Sequence, residues 1–228
     1  MHKAHQSYNN EYLDIKKIIK KDNPVVIEIG ANNGGDATRF IHHFPNIELH
    51  CFEADPRACQ VFKNNIKYKK CFLHEVAVSD TCEDIIFNQI LVDFNNNFPE
   101  KHQWMNKNDY IKFLGTPNSS TSDIVLRNNE KIKKITVQST TLDKWIEDKN
   151  FENIDYLEID VQGGEKKVLR GANNVLKKVK MIKIEYGEDR YKDFMSREET
   201  LKFLEPYGFK IIENLSSSGK KGDLYLLK

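Results

Sequence analysis

Val25-Val26-Ile27-Glu28-Ile29-Gly30-Ala31-Asn32-Asn33-Gly34-Gly35 is a short, β-branched apolar run that breaks into a glycine-bearing turn. A run of this length reads as an interior strand of a parallel sheet, and Gly30 and Gly34 let the backbone turn sharply beside a ligand. The next apolar run, Ile47-Glu48-Leu49-His50-Cys51-Phe52, delivers Glu53, 23 residues beyond Gly30. A carboxylate at the end of a second strand can accept both hydroxyls of a ribose, so the pattern expects a nucleoside cofactor.

What the turn lacks narrows the choice of nucleoside. A dinucleotide site wants Gly-x-Gly-x-x-Gly, whose second glycine lets a pyrophosphate touch the backbone, and Asn32 stands in that place. Glu28 would also repel a pyrophosphate, whereas S-adenosylmethionine carries an ammonium and a sulfonium and no phosphate. The expected cofactor is therefore S-adenosylmethionine.

A chain of 228 residues with 39% hydrophobic content is long enough for one domain with a sizeable core. Lys and Arg (35) balance Asp and Glu (34), so no global charge favours nucleic acid or an anionic membrane, and neither is expected as a partner. Basic runs such as Lys63 to Lys70 read as solvated helix faces. Cys51, Cys59, Cys71 and Cys82 show neither Cys-x-x-Cys pairing nor zinc spacing and are expected to be reduced thiols. No apolar stretch approaches the roughly 20 residues of a membrane span, and no secretion signal is recognisable, so a cytoplasmic location is the expectation. The oligomeric state is left open.

Along the chain, strand and helix patterns alternate. The first 23 residues read as an N-terminal helical cap, with Leu13, Ile15, Ile18 and Ile19 at helical spacing and Pro24 closing the pattern. Asp36 is placed to cap a helix carrying Phe40, Ile41 and Phe44, and Asp55-Pro56-Arg57-Ala58 opens another through Phe62. Phe72 to Val78 reads as a third strand and Asp84 to Ile90 as an antiparallel return. From Leu91 to Asp123 the pattern is irregular, with isolated Phe94, Phe98, Trp104, Tyr110 and Phe113. It is read as an inserted substrate lid, or as a surface loop with its aromatics on the core. Lys134 to Ser139 alternates like a strand. Thr141-Leu142-Asp143-Lys144-Trp145-Ile146 then reads as a capped helix, Ile154 to Ile159 and Met181 to Tyr186 as core strands, and Ser196-Arg197-Glu198-Glu199 as a capping box. Phe209 to Leu215 and Asp223 to Leu227 close the fold as a hairpin. The expected class is an α/β three-layer sandwich with a seven-stranded, mostly parallel sheet and an antiparallel C-terminal hairpin, forming one domain over residues 1–228.

In an open α/β sheet the ligand sits past the carboxyl ends of the strands. Glu28, Gly30, Glu53, Ser79, Asp80, Asp160 and Glu185 all fall at such ends, and a rim of acids calls for a cation in the cleft. Asp160 and Glu185, from neighbouring strands, are candidates for the base that removes a proton from an acceptor hydroxyl. They are equally candidates for ligands to a hard cation such as magnesium, or for purely structural roles. Glu165 reads as a helix N-terminal stabiliser, and His42, His43 and His102 as bystanders.

Five blocks taken together resemble the FkbM family of S-adenosylmethionine-dependent methyltransferases. They are Glu28-Ile29-Gly30-Ala31-Asn32-Asn33-Gly34, Phe52-Glu53-Ala54-Asp55-Pro56, Val76-Ala77-Val78-Ser79-Asp80, Thr141-Leu142-Asp143, and Ile159-Asp160-Val161-Gln162-Gly163-Gly164-Glu165 with its continuation to Ala172. The resemblance implies a class I methyltransferase fold and O-methylation of a hydroxyl on a sugar, glycan or secondary metabolite. It places Glu28, Gly30, Ala31, Asn32 and Gly34 around the methionine moiety, Phe52, Glu53 and Ala54 at the ribose, and Ala77, Val78 and Ser79 at the adenine. Asn118-Ser119-Ser120-Thr121 resembles the family's small-hydroxyl segment, which puts Ser119 near the cofactor's amino-acid end, and Asp160 faces the reacting methyl. Two positions depart from the family pattern: Glu158 stands where Lys is frequent, and Gly35-Asp36 where an aromatic is frequent. The alternatives are an NAD-type dinucleotide oxidoreductase and a non-catalytic cofactor-binding module.

Overall fold

The computed structural model describes residues 2–92, 119–122, 130–187 and 191–228. The quoted apolar run forms β1 (Val25–Ile29), preceded by α1 (His2–Ile19) and followed by α2 (Gly35–His43). Then come β2 (Glu48–Phe52), α3 (Pro56–Asn65) and β3 (Cys71–His74). The N-terminal helix thus starts earlier than its apolar spacing indicated. Pro56 at the first helical position and the Asp55 carboxylate, which accepts the N–H of Arg57 at 3.0 Å, start α3 where the sequence placed it.

The expected third strand splits. A tight turn at Glu75 and Val76, closed by Val76 N–H on the His74 carbonyl at 3.0 Å, ends β3 and releases β4 (Ala77–Val78) into a second sheet. That sheet, in the order β4-β6-β5, is built by β5 (Asp84–Val92) and β6 (Glu130–Thr140), an antiparallel pair. Most of the segment 91–123, including its five aromatics and His102, lies outside the described residues. Its described end is bound to β5, because Asn88 and Ser120 exchange main-chain hydrogen bonds of 2.7 and 3.1 Å.

The second half of the chain supplies α4 (Leu142–Ile146), β7 (Ile154–Ile159), α5 (Glu165–Arg170), α6 (Asn173–Lys178) and β8 (Val179–Tyr186). It closes with α7 (Arg197–Leu204), β9 (Lys210–Ile211) and β10 (Gly222–Leu227). Both bonds of the Ser196–Glu199 capping box are present at the start of α7. The main sheet has the order β3-β2-β1-β7-β8-β10-β9. The first five of these strands are parallel, and β10 runs antiparallel to β8 and β9.

One face of the sheet buries Ile27, Ile29, Leu157, Ile159, Ile182 and Ile184 against α4, α5, α6 and α7. The other buries Val26, Leu49, Tyr156 and Met181 under Tyr12 and Ile15 of α1 and Phe40 and Phe44 of α2. Helices on both faces of a mostly parallel sheet give the expected three-layer class I methyltransferase architecture. The chain runs outward from β1 to β3 and returns to β7 on the other side of β1. The carboxyl ends of β1 and β7 therefore flank the switch point, where open sheets of this kind hold their ligands. Among the described residues no helix is long and apolar enough to cross a membrane.

Candidate active site

The turn after β1 is shaped by its neighbours on both sides. Gly30 and Ala31 both donate their N–H groups to the Phe52 carbonyl, at 2.9 and 3.0 Å, which folds the chain back over β2. Asn32 then enters the left-handed region (φ 46), which asparagine tolerates better than most residues. Its N–H donates to Glu53 Oε2 at 2.8 Å, and Asp55 N–H donates to Glu53 Oε1 at 2.7 Å. One carboxyl thereby joins the turn after β1 to the start of α3. Burial pushes the Glu53 carboxyl up to about 7, against the opposing pull of these N–H groups.

Beside this turn lies a cavity of about 310 Å³. Its polar walls come from Gly30, Asn32, Glu53, Ser119, Thr121, Asp160 and Gln162. Its apolar walls come from Ile29, Phe52, Ala54, Val76, Ala77, Val78, Phe87 and Val161. Mostly apolar lining with a few converging polar groups is the usual composition of a small-molecule site. Phe52 is fixed from behind by His74, stacked with ring centroids 4.6 Å apart, and by Trp145, edge-on at 5.1 Å. Burial and the adjacent His50 push the His74 imidazole down to about 4, so it serves as a neutral ring.

Of the residues singled out in the sequence, Gly30, Asn32, Phe52, Glu53, Ala54, Ala77, Val78, Ser119 and Asp160 converge on this cavity. The others lie around it. Glu28 is one step deeper in the sheet, opposite Cys51 and Glu158, where its carboxyl accepts a hydrogen bond from Cys51 Sγ at 3.2 Å. Desolvation first, then Asp36 and Glu158, push that carboxyl well above the ordinary range. Ala31 is buried in the core under α2, and Gly34 (φ 82) precedes the first residue of α2. Asp36 does not cap α2; it accepts hydrogen bonds from the Tyr12 hydroxyl and Arg39, both at 2.5 Å, and so joins α1 to α2. Ser79 is buried, its N–H on the Thr140 carbonyl at 2.9 Å. His43 stacks on the Tyr12 ring.

Glu185 stands behind the wall formed by Gln162, whose Nε2 donates to Asp160 Oδ1 at 2.6 Å and to Glu185 Oε2 at 2.8 Å. Glu165 turns its carboxyl back to accept the N–H groups of Val161 (3.2 Å) and Gly163 (3.0 Å), so it stabilises the turn before α5. Burial raises Glu165 to about 7, and burial with Asp160 and Glu165 nearby raises Glu185 to about 9. Protonation of these buried members relieves the like-charge cost of the acidic rim.

Thr121, like Ser119, comes from the small-hydroxyl segment read near the cofactor, whereas Phe87, Val161 and Gln162 were given no site role in the sequence. Gln162 had a legible signal, because a residue between a strand end and Gly163-Gly164 has to turn sharply; Phe87 had none, since the second sheet carries it to the cavity. The magnesium site considered for Asp160 and Glu185 has no support among the described residues. Among the described residues no three His, Cys, Asp or Glu side chains are grouped to hold a metal ion, and these two carboxyls converge on an amide instead.

The walls fit S-adenosylmethionine. There is apolar lining for a base, a buried acid held at the second strand end, and a glycine where β1 and β7 approach so closely that a Cβ would overlap the Asp160 carbonyl. Comparison with known proteins agrees. A curated 2-O-methyltransferase NoeI from Sinorhizobium fredii is 31% identical over 175 residues, covering 76% of this chain and 68% of that protein. A tRNA (guanine-N(7)-)-methyltransferase from Mycoplasma mycoides is 25% identical over 162 residues, 61% of this chain and 71% of that protein. Among solved structures, a precorrin-6y C5,15-methyltransferase from Geobacter metallireducens aligns with a TM-score of 0.48 at 13% identity. That alignment covers 98% of this chain and 88% of that one. The model of the methyltransferase FkbM domain matches residues 28–211, and the chain belongs to that family.

Proposed function

We propose that this protein is an S-adenosylmethionine-dependent O-methyltransferase whose acceptor is a hydroxyl on a sugar, a glycan or a small metabolite. The observation that carries the proposal is the shared cavity of Glu53 and Asp160 on either side of Gly30. The cofactor, when bound, supplies a methyl group on a sulfonium sulfur. Glu53 and the turn at Gly30 and Asn32 hold it, and Phe52, Ala77 and Val78 give its base an apolar seat. Asp160 accepts the proton of the acceptor hydroxyl, a role that contributes on the order of 10²–10⁴ in rate. Ser119 and Thr121, at the described end of the segment 91–123, support the assignment of that segment to acceptor binding within a single domain. The 2-O-methyltransferase relative supports an oxygen acceptor. The dinucleotide alternative is disfavoured because Asn32 presents a side chain where a pyrophosphate needs bare backbone.

The test has two stages. Calorimetry with S-adenosylhomocysteine is expected to show micromolar or tighter binding, and NAD much weaker binding. Mass spectrometry across sugars, oligosaccharides and small alcohols, with and without chelator, is expected to show a gain of one methyl on an acceptor. A panel arm with tRNA covers the chemistry of the second relative. Silence toward S-adenosylhomocysteine, or methylation of tRNA alone, overturns the proposal.

A further inference from the structure

Gln162 lies where β7 gives way to α5, with its backbone in the left-handed region (φ 56) and Gly163 following at φ 96. A glutamine rarely adopts this conformation, and it persists only where the surroundings over-determine it. Here they do. The side-chain amide donates to Asp160 at 2.6 Å and to Glu185 at 2.8 Å, while its oxygen accepts the Tyr191 hydroxyl at 2.9 Å. The main-chain oxygen of Gln162 accepts the Ser120 hydroxyl. Gly163 leaves room for Tyr191, since a Cβ there would lie 2.3 Å from the tyrosine Cβ. Asp160, Glu185 and Tyr191 therefore meet on one uncharged amide, and Ser120 holds the main chain beside it.

Asp160 is exposed and lines the cavity, whereas Glu185 is half-buried behind it, and the two carboxyls are brought together on the same Gln162 amide nitrogen. Two carboxyls this close hold one proton between them, because both cannot ionise without strong repulsion. An amide is the side chain that can bridge them: it donates twice and adds no charge.

We propose that Gln162 is a positioning residue that makes Asp160 and Glu185 a single proton-sharing pair, ionised on Asp160 toward the cavity and protonated on Glu185 behind it. The pair then takes up the acceptor's hydroxyl proton on Asp160 while Glu185 steadies the charge it replaces. This assignment rests on the O-methyltransferase reading. The charged and titratable surroundings support it. Glu165 from the start of α5 and Asp223, opposite Glu185 on β10, are further acids beside the pair, and both disfavour ionisation of Glu185. The cation two residues back on β8, Lys183, is bound to Glu158 at 3.0 Å and Glu11 at 2.9 Å, and Lys167 pairs with Asp193 at 3.7 Å. Tyr191 donates to Gln162.

The test uses the whole protein and needs no acceptor for its first arm. Carboxyl carbon-13 NMR with labelled glutamate is expected to show several buried glutamates still protonated at pH 7, with the signal of Glu185 among them. That signal should be absent in Glu185→Gln and displaced on the pH axis in Gln162→Ala and Gln162→Glu. Cooperative urea unfolding and a parent-like circular dichroism spectrum are expected for both Gln162 variants, which shows that they fold. In the second arm, with an acceptor found as above, Gln162→Glu adds a third carboxyl and is expected to move the acid limb of kcat/KM upward by about one pH unit. kcat at pH 7 should fall about tenfold or more, with little change in acceptor KM. A Glu185 signal titrating like an ordinary glutamate, or pH profiles that coincide with the parent in both variants, overturns the proposal. Failure of the methyltransferase reading shows itself separately, as loss of S-adenosylhomocysteine binding or of methyl transfer by the parent protein while the NMR titration stands.

Discussion

Gly30 and Asp160 stand at adjoining strand ends so closely that a methyl group on Gly30 would lie 1.8 Å from the Asp160 main-chain oxygen. Gly30 also has φ 92, outside the range of ordinary side chains. The turn proposed to hold the cofactor and the strand end that carries the candidate base are thus set against each other by the missing Cβ. Gly30→Ala is expected to lose about 2–4 kcal/mol of stability through strain and overpacking, measured by urea unfolding. It should also weaken S-adenosylhomocysteine binding more than tenfold in calorimetry at a temperature where the variant is folded. Parent-like affinity would show that the two strand ends are not fixed by this contact.

Glu53 receives main-chain N–H groups on both carboxyl oxygens, from Asn32 and Asp55. Glu53→Gln keeps the size but replaces one acceptor with a donor, leaving a buried N–H facing another. The cost is expected to be about 1–3 kcal/mol in stability. Cofactor-product affinity should fall about tenfold or more, because the turn and the ribose-facing edge move together. Calorimetry beside thermal unfolding separates the two effects; a variant that loses stability and keeps full affinity would confine Glu53 to a structural role.

Carboxyls held above their ordinary range by burial, Glu53, Glu165 and Glu185 among them, set a pH dependence of stability. Burial raises Glu53 and Glu165 to about 7 and Glu185 to about 9, from 4.5 when exposed. A raised carboxyl is protonated in the folded state at a pH where the unfolded chain has ionised. Its contribution is therefore full below the unfolded value and is lost as pH rises through the folded one. Asp55 and Asp155 shift the other way. Burial alone would raise them, but Arg57 holds Asp55 down and Lys180 and Lys21 hold Asp155 down, so their contribution disappears only in acid. The melting temperature is expected to peak at about pH 5 and to fall toward pH 9, with the upper part of the decline flattened in Glu185→Gln. A profile that rises from pH 5 to pH 9 would contradict the protonated state of these acids.

The sequence carried the frame of this site because its signals are local. β1, the turn, Glu53 and the Asp55-Pro56 start of α3 follow from strand periodicity, glycine placement and helix capping, each read over a few residues. The same locality accounts for what was hidden. Phe72 to Val78 has the composition of one strand, and only the tight turn at Val76, with β6 as a competing partner for Ala77 and Val78, divides it. Glu28 and Gly30 share a face of β1, so the glutamate lies one step deeper, under α2, where Cys51 answers it. Phe87 and Tyr191 reach the site through long-range packing that no short window records. Glu158, which departs from the family pattern, became intelligible only when the sheet brought Lys183 opposite it.

That last pair gives a prediction with a direction. Lys183 is buried between Glu158 (3.0 Å) and Glu11 of α1 (2.9 Å), and the Tyr225 hydroxyl also donates to Glu11 at 2.7 Å. Burial alone would strip the lysine of its proton, but Glu158 holds it charged, well above the ordinary range. Lys183→Met removes the one charge that answers two acids and is expected to cost about 3–5 kcal/mol. Glu158→Gln leaves Lys183 its partner on α1 and should cost markedly less. Combining Lys183→Met with Glu158→Gln removes both buried charges, so the double variant should be more stable than Lys183→Met alone. A double-mutant cycle by urea unfolding is then expected to give a coupling of about 1–3 kcal/mol. Simple additivity would mean that the pair is not what ties α1 to the centre of the sheet, and that the aromatic packing of Tyr12 on Phe40 carries the helix instead.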